Sequence, residues 1–350
     1  MRIIQIDKLQ PGMVLASPIY GSDGKLLLTR NVVLKDVYMR RLSDLKVGSV
    51  YIYDELSEDI NVENVLRTKT IAWAYAACKK KSFDSCMLVA SMIVDDMINH
   101  IEDLPNMAAL QAYDNYTFLH SMNVGILSGM VGIEMNFTQE RLVDLVVAGL
   151  LHDIGKSDIP PEIIQKKGAL TKDEIEVMRR HPEFGYLQTK DSTIIPATVK
   201  HTILYHHENY DGSGYPAGKS GDELHVFARI VHVCDVYDAM TSKRCYKEAI
   251  NPADVIEYLM SGAGTMFDRD CLIAFKRSVF PYATGSVVVL SNGEIAIVKE
   301  NFKGLPERPD VKLVSTGEII SLREVNNIVI QGTRSLEEEY QEEYQTIVNL

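Results

Sequence analysis

Two adjacent histidines that lead into a turn-forming segment are the feature that most limits how this chain can fold. His206 and His207 come first, and the segment that follows, from Glu208 to Pro216, is acidic and contains two glycines. The apolar residues before the pair recur at three- and four-residue spacing, which predicts a helix. Glycine and proline favour a tight turn. We therefore expect two imidazoles at the end of a helix, beside a shaped loop.

Other histidines and aspartates lie at the ends or on the faces of predicted helices. An apolar stripe that includes Leu142 and Leu150 ends at His152 and Asp153, and Asp235 lies beside a second stripe. A single histidine on an apolar face is more often a core residue than a ligand, but His–His and His–Asp pairs favour a metal site. The donors are nitrogen and oxygen atoms, which suits zinc, iron or manganese. The candidate ligands are His120, His152, Asp153, His181, His206, His207 and Asp235.

The adjacent pair His152 and Asp153 restricts the geometry of such a site. Neighbouring residues of a helix point about 100° apart, so both reach metal only under geometric constraint. One solution is an Asp153 carboxylate that bridges two ions about 4 Å apart. Two such ions can activate a shared water and hold phosphate oxygens, which suits phosphodiester hydrolysis.

Charge and composition argue against several other classes of protein. The 350 residues carry a formal net charge of −12, which disfavours binding to a nucleic-acid polymer. No apolar run is long enough to cross a bilayer, and the N-terminus lacks the apolar stretch of a secretory signal. We therefore expect no membrane insertion and a cytoplasmic location. The five cysteines form no CxxC pair, which argues against disulfides and against a thiolate zinc site.

Changes in hydrophobic period divide the chain into five segments. We expect a small β-rich N-terminal unit over 1–55, a linker and helical segment over 56–109, a helical domain over 110–280, a small β-rich C-terminal unit over 281–332 and an acidic tail over 333–350. The predicted fold class is mainly α, with an all-helical domain flanked by small β-rich N- and C-terminal units. The helical segment before the domain can pack on its core or form a helix of a homodimer, and the sequence leaves both open.

The motifs of the helical domain resemble those of the HD-GYP family of cyclic di-GMP phosphodiesterases, a branch of the HD metal hydrolases. The match spans the predicted domain and agrees in order, spacing and residue identity. The segments that carry it are His120 to Val124, His152 to Lys156, His181-Pro182, His206 to Glu208, Asp211 to Pro216, Ala228 to Ile230, Asp235, Asp238 to Ser242 and Arg244 to Tyr246.

The resemblance implies two divalent metal ions with Asp153 between them. One ion would be held by His120, His152, Asp153 and Asp235. The other would be held by Asp153, His181, His206 and His207. Iron or manganese is expected, and zinc or other ions can occupy the same ligands. Family members with three metals carry a glutamate four residues before the first histidine, where this chain has Tyr116, so we expect two ions.

The resemblance also implies roles in substrate binding and catalysis. Lys156 would contact the scissile phosphate or the activated water, and with Asp153 it completes the expected catalytic pair. Tyr215 would lie in the loop that flanks the substrate. Asp238 would orient a metal ligand or contact the substrate. The phosphates of the dinucleotide would be held by Arg244 and Lys247.

The implied reaction is hydrolysis of the 3'-5' phosphodiester bond of cyclic di-GMP to pGpG by a two-metal-activated water, with continuation to GMP left open. Hydrolysis of another nucleotide, such as cyclic GMP-AMP, is an alternative because the metal core is shared between such reactions. A cyclic di-GMP receptor without turnover is a second alternative, which the intact ligand set disfavours. Cys245 stands where proline is usual, a change that affects the expected substrate loop and leaves the ligands in place.

Overall fold

The computed structural model describes the chain except for residues 21–24, 46, 61–65, 67–69, 72, 75, 78–81, 102–103, 105–115, 167, 243–249 and 334–350. The chain divides into two compact units. The β-rich unit comprises Met1–Val65, Glu102–Asn115 and Phe280–Leu350, and the helical unit comprises Leu66–Ile101 and Tyr116–Val279. The expected fold class, mainly helical with small β-rich parts, is confirmed. The predicted acidic tail lies, apart from its first residue, outside the described residues.

The N-terminal part of the β-rich unit contains two small antiparallel sheets. Its elements are β1 (Arg2–Gln5), β2 (Val14–Leu15), β3 (Ile19–Tyr20), β4 (Leu26–Leu28), α1 (Asp36–Asp44) and β5 (Ser49–Tyr53). Strand β5 lies between β1 and β2, while β3 pairs with β4. The alternation of β5 buries Val50 and Ile52, which pack with Leu15, Leu34 and Leu42 in one apolar core.

The C-terminal part of the same unit is an antiparallel sheet with the strand order β10-β6-β7-β8-β9. Its strands are β6 (Val287–Leu290), β7 (Ile295–Glu300), β8 (Asp310–Leu313), β9 (Ile319–Ser321) and β10 (Ile330–Thr333). Gly293 has a φ of 88° in the turn between β6 and β7, a conformation that favours glycine. Ile60 packs with Val287, Ile295 and Ile297 of this sheet. The two β-rich segments therefore belong to the same compact unit.

Helices build the second unit. In chain order they are α2 (Phe83–Asn99), α3 (Tyr116–Glu134), α4 (Gln139–Leu151), α5 (Pro161–Ile164), α6 (Lys172–Met178), α7 (His181–Thr189), α8 (Ala197–Tyr205), α9 (Val226–Thr241), α10 (Pro252–Ser261) and α11 (Arg269–Ser278). Thr171 and Glu174 form a reciprocal capping box that starts α6, and Pro182 occupies the first turn of α7. Within the described ranges, none of the helices has the length and hydropathy to cross a bilayer.

Two glycines let helices α3 and α4 approach each other closely. A Cβ atom at Gly149 of α4 would lie 2.6 Å from the Cα atom of Gly125 in α3, so neither helix could come this near with larger residues. Helix α2 packs against α4 through its buried apolar face. Of the two possibilities that the sequence left open for this segment, the structure shows the packing on the core. The crossing of α3 and α4 brings the rings of His120 and His152 to a centroid distance of 5.1 Å.

Candidate metal centre

The predicted ligands lie together in the helical unit, at places where helices begin, end or cross. These seven side chains are called the cluster below. His152 and His206 directly follow α4 and α8, and His181 begins α7. His120 comes from α3 and Asp235 from the middle of α9. Among the described residues, three groups bring ligand atoms within 4.8 Å of one another: Asp153 with His181, His206 and His207; His120 with His152 and Asp153; and His152 with His206 and Asp235.

Backbone carbonyls fix the tautomer of three imidazoles. The Nδ1 atoms of His152, His181 and His206 lie 2.7, 2.8 and 2.9 Å, respectively, from the carbonyl oxygen three residues earlier. Because a carbonyl oxygen can only accept, each Nδ1 carries a proton, which leaves the lone pair of the neutral ring on Nε2. An imidazole that donates its other N–H to a carbonyl is oriented as metal-ligating histidines usually are. The local backbone therefore prepares these three rings to bind a metal through Nε2.

Asp153 lies at the centre of the cluster, with its two carboxylate oxygens facing different imidazoles. Oδ1 is 3.2 Å from Nε2 of His181 and 4.0 Å from Nε2 of His206. Oδ2 is 3.3 Å from Nε2 of His152 and 3.5 Å from Nε2 of His120. A carboxylate with this division between its oxygens has the arrangement that a bridge between two ions requires.

Asp235 joins the cluster from helix α9. Its Oδ1 atom lies 3.0 Å from Nε2 of His120 and 3.8 Å from Nε2 of His152, and its Oδ2 atom lies 3.9 Å from Nδ1 of His207. Asp235 thus approaches the same two imidazole nitrogens that face Oδ2 of Asp153, and it also reaches toward the remaining histidine.

Several nitrogen and oxygen atoms of the cluster that can accept hydrogen bonds have no hydrogen-bond donor beside them. Nε2 of His181 and Nε2 of His206 lie 3.3 Å apart, although each Nδ1 already carries the ring proton. Nε2 of His152 and Oδ1 of Asp153 are buried without a hydrogen-bond partner. Facing lone pairs and buried carboxylate oxygens are costly unless a cation lies between them. The residues therefore fit a divalent metal, with which the nitrogen and oxygen donor set also agrees.

Burial and neighbouring charges set the protonation of the cluster. Burial holds the pKa values of His206 and His207 well below the usual range, so both rings are neutral near pH 7. Burial alone would raise the pKa of Asp153, but the ammonium group of Lys156 and the neighbouring imidazole of His152 outweigh it and hold that pKa well below its ordinary value. Neutral imidazoles and an ionised carboxylate are the forms that bind metal ions.

His120 is oriented by a carboxylate instead of a carbonyl. Its Nδ1 atom donates to Oδ2 of Asp238 at 2.8 Å, and Oδ1 of Asp238 accepts a hydrogen bond of 2.7 Å from the side-chain amide of Asn123. Burial lowers the pKa of His120, but the hydrogen bonds to Asp235 and Asp238 outweigh it and raise that pKa to about 10. Of the two roles expected for Asp238, this geometry is that of a residue that orients a ligand.

Lys156 and Tyr215 lie next to the cluster. The ammonium group of Lys156 contacts Oδ2 of Asp153, and its side chain is 32% exposed, so it faces both the cluster and solvent. The ring of Tyr215 stacks on His207 with a centroid distance of 4.9 Å and an interplanar angle of 24°. Tyr215 therefore forms a wall beside one of the candidate ligands, while Lys156 supplies a positive charge.

The loop that carries Tyr215 is held by Glu208, whose importance the sequence did not reveal. The carboxylate of Glu208 accepts hydrogen bonds from the backbone N–H groups of Ala217 at 2.6 Å and Gly218 at 3.1 Å, and the residue is 2% exposed. A Cβ atom at Gly214 would lie 2.3 Å from the backbone nitrogen of Asn209, so the two arms of the loop pack too closely for any other residue. Together these contacts fix the shape of the loop.

Gly155 is another residue whose role only the structure shows. It follows the His152-Asp153 pair in a short 3-10 turn, Ile154–Asp158. A Cβ atom here would lie 2.0 Å from the carbonyl oxygen of His181 and 2.3 Å from the backbone nitrogen of Gly185. The glycine directly after the His-Asp-Ile motif was the only sign of this contact in the sequence. The sequence does not show that helix α7, which begins at His181, is the element that it contacts.

Some predicted residues lie outside the described part of the chain. Arg244 and Lys247, the expected phosphate contacts, and Cys245 belong to the segment 243–249, which the structure does not describe. Tyr116 begins helix α3, but the described atoms do not extend to its side chain. The expected roles of these residues stay predictions.

Comparison with known proteins gives a family and several relatives. The model of the HD domain family matches residues 97–271, which is half of the chain. The cyclic di-GMP phosphodiesterase PA4108 of Pseudomonas aeruginosa is 36% identical over 228 residues, which cover 64% of this chain and 55% of that protein. The cyclic di-GMP phosphodiesterase response regulator RpfG of Xanthomonas campestris pv. campestris is 39% identical over 170 residues, or 48% of this chain and 45% of RpfG. The chain thus matches about half the length of these relatives.

A solved structure supports the fold. Bd1817, an HDG"Y"P protein from Bdellovibrio bacteriovorus, superposes with a TM-score of 0.52 and 17% sequence identity, over 78% of this chain and 97% of Bd1817. At this level of identity the likeness concerns the fold alone. It agrees with the helical unit described above.

Proposed function

This chain belongs to the HD domain family, and we propose that it is a metal-dependent phosphodiesterase that hydrolyses cyclic di-GMP to pGpG. The observation that carries the reaction class is the position of Asp153, whose oxygens each face a different pair of imidazoles. Two relatives bear the name of cyclic di-GMP phosphodiesterase, which supports this substrate. GMP would be the product of any further cleavage of pGpG.

We propose that two divalent ions bind in the cluster, with Asp153 shared between them. Iron or manganese suits the imidazole and carboxylate donors, and zinc can occupy the same ligands. When bound, the ions would lower the pKa of a water molecule and neutralise charge that develops on the phosphate. One ion would be held by His120, His152, Asp153 and Asp235. The other would be held by Asp153, His181, His206 and His207.

The remaining roles follow from the chemistry of hydrolysis. Water attacks the phosphorus atom, the bond from phosphorus to the 3' oxygen breaks, and pGpG leaves with a 5' phosphate and a 3' hydroxyl group. The ammonium group of Lys156 would hold a non-bridging phosphate oxygen, because a cation next to the cluster stabilises the growing negative charge. Tyr215 would limit the space beside His207 and exclude water there. Phosphate contacts from Arg244 and Lys247, a cytoplasmic location and a homodimer stay predictions from the sequence.

The test is turnover of cyclic di-GMP by protein purified without oxygen, before and after addition of Fe²⁺ or Mn²⁺, with products separated by chromatography. We expect pGpG from the wild-type protein and a loss of at least about 100-fold in kcat for Asp153→Asn. His201→Gln is the matched control, since His201 lies in α8 before His206 but belongs to none of the three ligand groups. Equal rates for Asp153→Asn and the wild-type protein would refute the assignment.

The same experiment separates the alternatives. Tight binding of cyclic di-GMP without product under every metal would indicate a receptor. Faster turnover of cyclic GMP-AMP than of cyclic di-GMP would change the substrate and leave the reaction class intact. Metal analysis tests the number of ions, because three tightly bound ions per chain would contradict the two-metal proposal.

A further inference from the structure

An arginine outside the predicted site lies over Tyr215, the ring that forms a wall beside the cluster. Arg179 directly follows helix α6, two positions before the candidate ligand His181. The central carbon of its guanidinium group is 5.3 Å from the centroid of the Tyr215 ring, and the same ring stacks on His207. Arg179 thus contacts Tyr215, which in turn contacts His207, and Arg179 is the exposed member of this series.

The contacts of Arg179 leave its hydrogen-bonding capacity free. No carboxylate of the described residues forms an ion pair with it, in a chain whose net charge is −12. A cation over an aromatic ring is held by electrostatic attraction to the ring and not by hydrogen bonds. Its five N–H donors lie in a planar fork, which can bind paired acceptor atoms.

The adjacent Arg180 shows that this placement is particular to Arg179. Arg180 lies 3.8 Å from the carboxylate of Glu183 and 4.8 Å from the centroid of the Phe184 ring, and 62% of its side chain is exposed. Its partners are residues of helix α7 and not residues of the loop that contains Tyr215. The two arginines therefore have the same charge and nearly the same position in sequence, but only one lies over the wall of the cluster.

We propose that Arg179 binds the part of the substrate that extends beyond the scissile phosphate, through a pair of acceptor atoms. This inference rests on the proposed function, because a cyclic dinucleotide places only one phosphate at the metals. Its second phosphate and its guanines must then lie outside the cluster. Both offer paired acceptors that fit a guanidinium fork, namely two phosphate oxygens or the O6 and N7 atoms of guanine. Arg179 is thus a specificity-determining residue and takes no part in bond cleavage.

The test compares Arg179→Ala, Arg179→Lys and the control Arg180→Ala in the metal-loaded full chain. Each is assayed with cyclic di-GMP and with bis(p-nitrophenyl) phosphate, a phosphodiester that has neither a second phosphate nor a base. We expect Arg179→Ala to raise KM for cyclic di-GMP about 10- to 100-fold, since it removes a charge-assisted hydrogen-bond pair. Turnover of the small diester and the melting temperature should not change, and Arg179→Lys should fall between because it keeps the charge without the fork.

Cyclic di-AMP identifies which acceptor is bound, because adenine carries a donor where guanine carries O6. An equal loss for both dinucleotides assigns the contact to the second phosphate, and a loss confined to cyclic di-GMP assigns it to guanine. If Arg179→Ala and Arg180→Ala have the same KM for cyclic di-GMP, the inference is wrong and the proposed function stands. If the wild-type protein hydrolyses the small diester but neither binds nor hydrolyses cyclic di-GMP, the proposed function fails and the inference fails with it.

Discussion

The substitution Gly155→Ala adds one methyl group at the point where the turn after Asp153 meets the start of helix α7. The new Cβ atom would lie 2.0 Å from the carbonyl oxygen of His181 and 2.3 Å from the backbone nitrogen of Gly185, whereas ordinary contacts of a Cβ atom begin near 3.4 Å. Both neighbours are backbone atoms and cannot move aside by a change of rotamer. The turn and the helix must therefore separate by at least about 1 Å.

This separation acts directly on the proposed metal site. The turn follows Asp153 and the helix begins with His181, and these two side chains now approach to 3.2 Å between Oδ1 and Nε2. A misplacement of about 1 Å at a reacting centre costs about 100-fold in rate. Overpacking of a close contact costs about 1–3 kcal/mol in the free energy of unfolding. We therefore expect Gly155→Ala to lose both metal and activity and to remain folded.

Three measurements check this expectation: the metal content of the purified protein, turnover of cyclic di-GMP, and the free energy of unfolding from denaturant titration. Gly332→Ala is the matched control, because a Cβ atom at Gly332 would meet nothing within 4 Å. It should change none of the three. If Gly155→Ala bound as many ions as the wild-type protein and kept its rate within about threefold, the close contact would have no bearing on the position of the ligands.

Three further outcomes follow from the charges and hydrogen bonds. Asp238→Asn should weaken metal binding about 10- to 100-fold. The two oxygens of Asp238 accept hydrogen bonds from His120 and Asn123, whereas an asparagine side chain has only one oxygen. The double variant Asp238→Asn/Asn123→Asp should recover affinity in metal titrations, and no recovery would disprove the pairing. The raised pKa of about 10 keeps a proton on His120, and metal binding should release it. Metal affinity should therefore rise with pH up to about 10. Calorimetry in buffers of different ionisation enthalpy should detect the released proton. In the β-rich unit, a hydrogen bond from the Lys312 ammonium group lowers the pKa of Asp59 from 3.8 to about 2. Because the pKa is lower in the folded state, the stabilisation is present above pH 4 and is lost between pH 4 and 2; with Asp59 42% exposed, it amounts to about 1 kcal/mol or less. Asp59→Asn should therefore remove this pH dependence from unfolding curves.

Local patterns in the sequence were sufficient to predict several elements. The stripe that ends at His152 became helix α4, and the apolar spacing before His206 became helix α8, which His206 directly follows. These features depend on residues within a few positions of one another, where helical period, capping and turn preferences act directly. The candidate ligands could be proposed for the same reason, since each stands next to a helix boundary or on a helix that the sequence indicates.

Contacts between distant residues could not be read from the sequence. The carboxylate of Asp238 meets Asn123 across 115 positions, and Ile60 packs on Val287 and Ile297 of the C-terminal sheet. Neither pair shares a pattern that distinguishes it from many other polar or apolar pairs. Glu208 shows a related limit: it directly follows two histidines in sequence, whereas its carboxylate accepts hydrogen bonds from backbone N–H groups nine and ten positions later. The path of the chain, which brings those N–H groups back to Glu208, decides this contact.

The two kinds of contact have separate consequences for the metal site. The ring protons of His152, His181 and His206 are fixed by carbonyls three residues earlier, so each ligand is prepared by its own helix end. The distances between the ligands depend instead on close approaches between helices, as at Gly149 and Gly155. A substitution that widens a helix contact should therefore reduce metal affinity while the tautomers persist. A substitution that removes a ring should abolish one set of ligands and leave the helix packing intact, because the two features are built by different parts of the chain.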